Sequence, residues 1–229
     1  MMFVSFSIAY LTKIELVIIL FGTLLLLNIA YSLPPFILSW RGSIAPALLP
    51  MGYITLTVIS GFSASGAEID KTTLWFLSGM YLHFLSRILL KDHRDMIGDK
   101  KAGKKTLILK KGNKFVSYLS FVFFLTSSII LLAVLWDFIH FWISNLVLVI
   151  GAALTMLVFL SKAEFWPEQR LFITVFGRLC SALVCLFIIS FLINIFPINR
   201  TLATVYMVLL LAGFLVSINK IIQLQKYTN

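Results

Sequence analysis

The chain has 229 residues, 60% of them hydrophobic and only 12% charged, and its mean hydropathy is +1.01. Soluble domains are about half apolar and a quarter charged, so this composition excludes one and points to an all-α, polytopic transmembrane helical bundle. A net charge of +10 would suit nucleic acid, but the basic residues follow membrane topology instead, and no nucleic-acid partner is expected.

Met1–Leu11 is apolar but too short to cross a bilayer, and reads as the end of a helix. A cleaved signal peptide fits poorly, because the charged start and an A-x-A pattern before Lys13 are both missing. Apolar runs near the ~20 residues a span requires then follow at 14–32, 44–62, 73–90, 115–136, 139–161, 171–195 and 201–219. The chain is thus about seven spans plus a partial N-terminal helix, in a single transmembrane domain over 1–229. Pro34-Pro35 ends the first run, since neither proline donates a backbone hydrogen bond. The glycines and serines of 61–66 mark a turn, and Pro167 and Pro197 mark two more. Cys180 and Cys185 sit within an apolar run and read as small buried hydrophobes.

With seven spans, Arg41, the nine basic residues of Lys91–Lys114, Lys162, Arg170, Lys220 and Lys226 share one side. That makes fourteen, against Lys13, Lys71 and Arg200 on the other. The positive-inside rule makes the first side cytoplasmic in a cell or inner membrane. It also puts the loop after Pro34-Pro35 and the loop at 91–114 on one face.

The second loop is the most informative part of the chain. Asp92, Asp95 and Asp99 stand at i, i+3 and i+7 in a protein with only nine acids. If the helix before them continues, all three fall within about 60° of one face. Carboxylates at a membrane boundary are costly and mark function by default. Three oxygen ligands suit Mg²⁺, which fills its shell with water and substrate phosphate. The interleaved basic residues are partners for that phosphate. The competing reading is a solvated loop whose aspartates are surface partners of topology-setting lysines, in pairs worth at most about 1 kcal/mol.

The run Lys91-Asp92-x-x-Asp95-x-x-Gly98-Asp99-x-x-x-Gly103-x-x-Thr106-Leu107 resembles the second aspartate-rich motif of the UbiA-type intramembrane prenyltransferases. Tyr31-Ser32-Leu33-Pro34-Pro35 resembles the family's Tyr-Ser-x-Pro-Pro signature. The resemblance covers roughly residues 1–195. It implies a helical bundle around a cavity, and transfer of a prenyl group from an isoprenyl diphosphate to an acceptor, often aromatic. It makes Asp95 and Asp99 the catalytic Mg²⁺ ligands with Asp92 in support. Arg94, Lys100 and Lys101 would contact diphosphate, and Tyr31 and Ser32 would line the pocket. The family often has a lysine after the double proline, and Arg41 stands in for it here. Arg87 either points at phosphate from the helix entering the loop or snorkels to the interface.

The family's first motif, Asn-Asp-x-x-Asp-x-x-x-Asp, has no counterpart. Before Asp92 the only acids are Glu15, Glu68 and Asp70, and the last two fall on the opposite face. The expectation is therefore of two family helices upstream, or a separately encoded N-terminal half. The alternative is a non-catalytic membrane protein that binds lipid or a partner. A CDP-alcohol phosphotransferase would want a denser acid pattern with Asp-Gly and Ala-Arg pairs, and a transporter would want paired broken helices. Of the remaining polar residues, His83 should be an interior histidine, His93 should face solvent, and Arg178 should face the bundle. Trp136, His140 and Trp142 should form an interfacial belt, with Asp137 and Glu164 as ordinary loop charges.

Overall fold

A computed structural model describes residues 10–11, 13–42, 44–136, 139–161, 169–195 and 199–226. The expected N-terminal helix end over 1–9, the turns at Pro167 and Pro197, and Asp137 and Glu164 lie outside these residues. So do the side chains of Arg41, His140 and Trp142. The chain forms two compact units, 1–123 and 124–229.

In the first unit, α1 (Glu15–Ser32) stops where the sequence says it must. Leu33, which precedes Pro34, is extended at φ −108°, ψ 148°, because the proline ring excludes the helical conformation from the residue before it. A 3₁₀ turn (Leu38–Trp40) leads into a two-residue strand, β1 (Arg41–Gly42). Helix α2 (Ala45–Ser65) is irregular. Its first segment, Ala45–Pro50, ends on a proline that cannot donate to the carbonyl of Pro46, and the next six residues, Met51–Leu56, widen into a π-helix. Thr57 Oγ1 donates to the Gly52 carbonyl at 2.9 Å, and α-geometry resumes from there to Ser65.

Helix α3 (Lys71–Lys101) is the spine of this unit. Its 31 residues would extend about 46 Å, well beyond a hydrocarbon core of about 30 Å. The apolar stretch ends at Leu90, so the turns carrying the aspartates lie past it. Tyr81 donates to the Ala47 carbonyl at 2.9 Å, tying α3 to α2. After α3 come β2 (Lys105–Thr106), a short α4 (Leu107–Lys111) and α5 (Asn113–Val134). Ile108 on α4 anchors a small core with Leu89 and Val116. Ser120 on α5 donates to the Ser86 carbonyl of α3 at 2.7 Å.

The second unit contains the rest of α5, α6 (Ile139–Ser161), α7 (Gln169–Ile195) and α8 (Arg200–Lys226). Phe124 meets Phe176 edge-on at 5.5 Å, and Asn145 donates to Ser190 at 3.3 Å, a polar link of the kind that joins helices in lipid. Ile173, Phe176, Cys180, Leu183 and Phe187 form the buried face of α7. Arg178 lies on the opposite side and is exposed, correcting the expectation that it faces inward. Its position, about 200° around the helix from Phe176, explains this. Cys180 is buried and Cys185 half-buried.

Among the described residues five helices are long and apolar enough to cross a membrane, and two shorter apolar helices, Asn145–Leu157 and Thr204–Lys220, match the two remaining expected spans. The molecule is an all-α integral membrane protein.

Candidate functional site

The two loops expected on one face do meet. β1 and β2 pair in parallel, with Arg41 opposite Lys105 and Gly42 opposite Thr106. Gly42 makes this approach possible. A Cβ there would overlap the Lys105 carbonyl oxygen and lie 2.5 Å from the Thr106 carbonyl carbon. Arg41 joins the site through its backbone.

Helix α3 continues through Asp99 and closes on a Schellman cap. Gly103 adopts φ +71°, its N–H donates to the Lys100 carbonyl at 3.2 Å, and the Lys104 N–H donates to the Asp99 carbonyl at 3.0 Å. Such a cap brings the side chain two residues past the C-cap, Ala102, back over the last turn. Here that side chain is Lys104, whose Nζ reaches Asp99 Oδ1 at 2.7 Å. Lys104 is a site residue the motif alone does not single out, although Gly103 is the signal for it.

The three aspartates differ. Asp92 and Asp99 are separated by about 20° around the helix and about 10 Å along it, whereas Asp95 is offset by about 60° from Asp92. Asp95 accordingly turns to its neighbours, with Arg94 Nε at 3.1 Å and Lys91 Nζ at 3.9 Å, and its side chain is 39% exposed. Asp99 is buried except for its contact with Lys104. Asp92 is half-buried and has no hydrogen-bond or ion-pair partner among the described residues. Burial, followed by the negative charge of Asp99, pushes its carboxyl up to about 6. Arg94 is held by Asp95, while Lys100 and Lys101 are exposed on the last turn, where they complement the helix dipole.

Tyr31 connects the carboxylates to a cavity. Its hydroxyl is close enough to Asp92 and Asp99 to feel their charge, and its ring lines a cavity of about 280 Å³ between α1 and α2. Phe21, Leu24, Leu25, Leu48 and Leu49 give that cavity apolar walls, with Asn28, Tyr53 and Thr57 as its polar points. The π-turn places Gly52 and Tyr53 on its wall. Ser32, expected beside Tyr31, is exposed and is not part of the lining, because the next helical position points about 100° away. Arg87 lies with its guanidinium 6.0 Å from the Phe84 ring, which in turn packs at 5.7 Å on Tyr53. It therefore stands on the cavity side of α3.

His93 is not at the surface as expected. It is 3% exposed, and its Nε2 is 3.2 Å from the Ser117 hydroxyl of α5. It continues the buried stripe of Ser86 and Leu89, seven and four residues back, and burial pushes its imidazole down to about 4. His83 is buried within the unit, as expected of an interior histidine.

Among the described residues no three His, Cys, Asp or Glu side chains gather to enclose a metal ion. The donor chemistry nevertheless fits Mg²⁺. Asp92 and Asp99 offer hard oxygens, Asp92 makes no ion pair among the described residues, and Mg²⁺ takes one or two carboxylates while water and phosphate complete its shell. Comparison with known proteins gives one family. The sequence model described as UbiA prenyltransferase family matches residues 1–176. No curated protein and no solved structure matches the chain.

Proposed function

The chain belongs to the UbiA prenyltransferase family, and from that premise we propose that it transfers an isoprenyl group from an isoprenyl diphosphate to a small, aromatic acceptor. The observation that carries this reading is Tyr31, which lines an apolar cavity and lies within electrostatic reach of Asp92 and Asp99. A substrate with a hydrocarbon tail and a charged head needs both environments side by side.

In this reading Asp92 and Asp99 would hold Mg²⁺, which would supply positive charge to neutralise the diphosphate. Lys104 supplies a positive charge to the same oxygens, since it already lies against Asp99. Arg87 stands near the cavity edge for the same purpose. The reacting C–O bond breaks with its electron pair leaving on diphosphate, and the prenyl carbon is taken by the acceptor ring, which then loses a proton. The leucines and Phe21 accommodate the tail and keep water from the cation-like carbon. Tyr31 orients the junction between tail and head.

A second reading keeps binding without turnover. The sequence before Asp92 holds only Glu15, Glu68 and Asp70, and Asp70 starts α3 at its far end, about 44 Å from Asp99. Turnover would then require the second carboxylate cluster from a further segment or a separately encoded partner.

The test is titration of the purified full chain in lipid nanodiscs with farnesyl diphosphate, with Mg²⁺ and with EDTA. Wild-type protein should bind only with Mg²⁺, and Asp99→Asn should weaken that binding at least about tenfold. Equal Mg²⁺-dependent binding by both proteins would overturn the site. Binding without product from a phenolic acceptor would select the second reading.

A further inference from the structure

The start of α5 has two sharply different faces. Val116, Ser117 and Ser120 are buried against α3 and α4, at 0%, 5% and 0% exposure. Phe115, Tyr118 and Val122 stand outward at 49%, 65% and 41%, at i, i+3 and i+7, in a helix that spans the membrane. An outward apolar stripe on such a helix faces lipid tails.

Lysines lie where that stripe begins. Lys110 and Lys111 end α4, and Lys114 is in the first turn of α5, all three exposed. None has an ion-pair or hydrogen-bond partner among the described residues. The ion pairs of this loop are Lys91 and Arg94 with Asp95, and Lys104 with Asp99, so its acids leave these three uncompensated. Ile108, 2% exposed in the core with Leu89, fixes α4 and so holds Lys110 and Lys111 beside the stripe. Tyr118, with an apolar ring and a hydroxyl, suits the headgroup boundary.

We propose that Lys110, Lys111 and Lys114 form a binding site for the headgroup of an anionic phospholipid, whose tails lie along Phe115, Tyr118 and Val122. A lysine that only sets topology needs no particular lipid. Three uncompensated lysines above a lipid-facing stripe should select a negatively charged one, by up to about fivefold per lysine at low salt.

Electron spin resonance tests this on the full chain in phosphatidylcholine bilayers, using trace spin-labelled phosphatidylglycerol or phosphatidylcholine. The motionally restricted fraction measures which lipid the protein holds. Wild type should prefer phosphatidylglycerol several-fold, and high salt should erase the preference. The combined Lys110→Gln, Lys111→Gln and Lys114→Gln variant should lose the preference while restricting as much phosphatidylcholine as wild type, which shows its lipid-facing surface intact. Lys71→Gln, at the far end of α3, should keep it. An equal preference in wild type and triple variant would overturn the proposal. So would displacement of phosphatidylglycerol by inorganic diphosphate, which would mark a soluble-phosphate site. Should the triple variant not reconstitute, a salt-insensitive preference in wild type overturns it instead.

Discussion

Helix α3 carries an aspartate at its start and three near its end, and the two ends treat the same side chain in opposite ways. Asp70 is the N-cap. Its Oδ1 accepts from the Thr73 N–H at 2.7 Å and the Thr73 hydroxyl at 2.6 Å, and these bonds lower its carboxyl below the usual range. Asp92 receives no such bond, and burial and Asp99 raise its carboxyl to about 6. One end uses a carboxylate to finish a helix. The other holds a carboxylate with no ion-pair or hydrogen-bond partner among the described residues, whose charge reaches the cavity-lining Tyr31, and such a perturbed group is a candidate ligand site.

The comparison breaks most directly at Gly42. Gly42→Ala places a methyl group into the backbone of Lys105 and Thr106, so β1 and β2 must separate. The expected cost is about 1–3 kcal/mol, read as a lower unfolding temperature in detergent, together with weaker diphosphate binding. The Asp70 end should be untouched, which amide exchange at Thr73 would show.

Asp92→Asn should act in the opposite direction. The carboxyl is raised in the folded state, so its contribution favours folding at low pH and is lost as pH rises from the unfolded value near 3.8 through about 6. The amide removes that penalty. Without Mg²⁺, the variant should melt a few degrees above wild type at pH 8 and match it at pH 4. A lower melting temperature at pH 8 would show that Asp92 is satisfied after all. Stability gained with binding lost is the pattern expected of a functional group.

The sequence makes some of this visible and not the rest, for physical reasons. Hydropathy locates the spans, and Pro34-Pro35 predicts both the end of α1 and the extended Leu33, since these are local effects of apolar length and ring sterics. The charge count puts the two loops on one face, and β1–β2 pairing joins them. The role of Gly42 stays hidden, because it depends on a strand sixty-odd residues away. Lys104 was within reach, since Gly103 signals a left-handed cap that folds the next side chain back. The burial of His93 could have been read from its spacing to Ser86 and Leu89, but a charged motif on both sides masks the stripe. The π-turn follows from Pro46 and Pro50, yet proline predicts a disturbance without saying which one.

Asp70→Ala tests the other end of the helix. Loss of an N-cap costs about 1 kcal/mol, and diphosphate binding should not change, since the cap is a helix length away from the site. A binding defect there would mean that the cap positions Asp92 and Asp99 through the whole of α3, and the division between the two ends would fail.

The smallest effect falls on Asp95, and it separates the sequence motif from the folded site. By motif alone Asp95 ranks with Asp99. In the structure it is turned to Arg94 and Lys91, with 39% of its side chain exposed, and exposed pairs of this kind contribute about 0–1 kcal/mol. Asp95→Asn should therefore leave the melting temperature almost unchanged at pH 8. Its loss of Mg²⁺-dependent farnesyl diphosphate binding should be smaller than that of Asp99→Asn, because Asp92 and Asp99 are the two carboxylates whose charge reaches Tyr31. A loss equal to that of Asp99→Asn would mean that Asp95 leaves Arg94 and rotates inward when substrate arrives. The pair bonds at 3.1 Å would then be a resting arrangement, and Arg94, once released, would become free to meet the diphosphate.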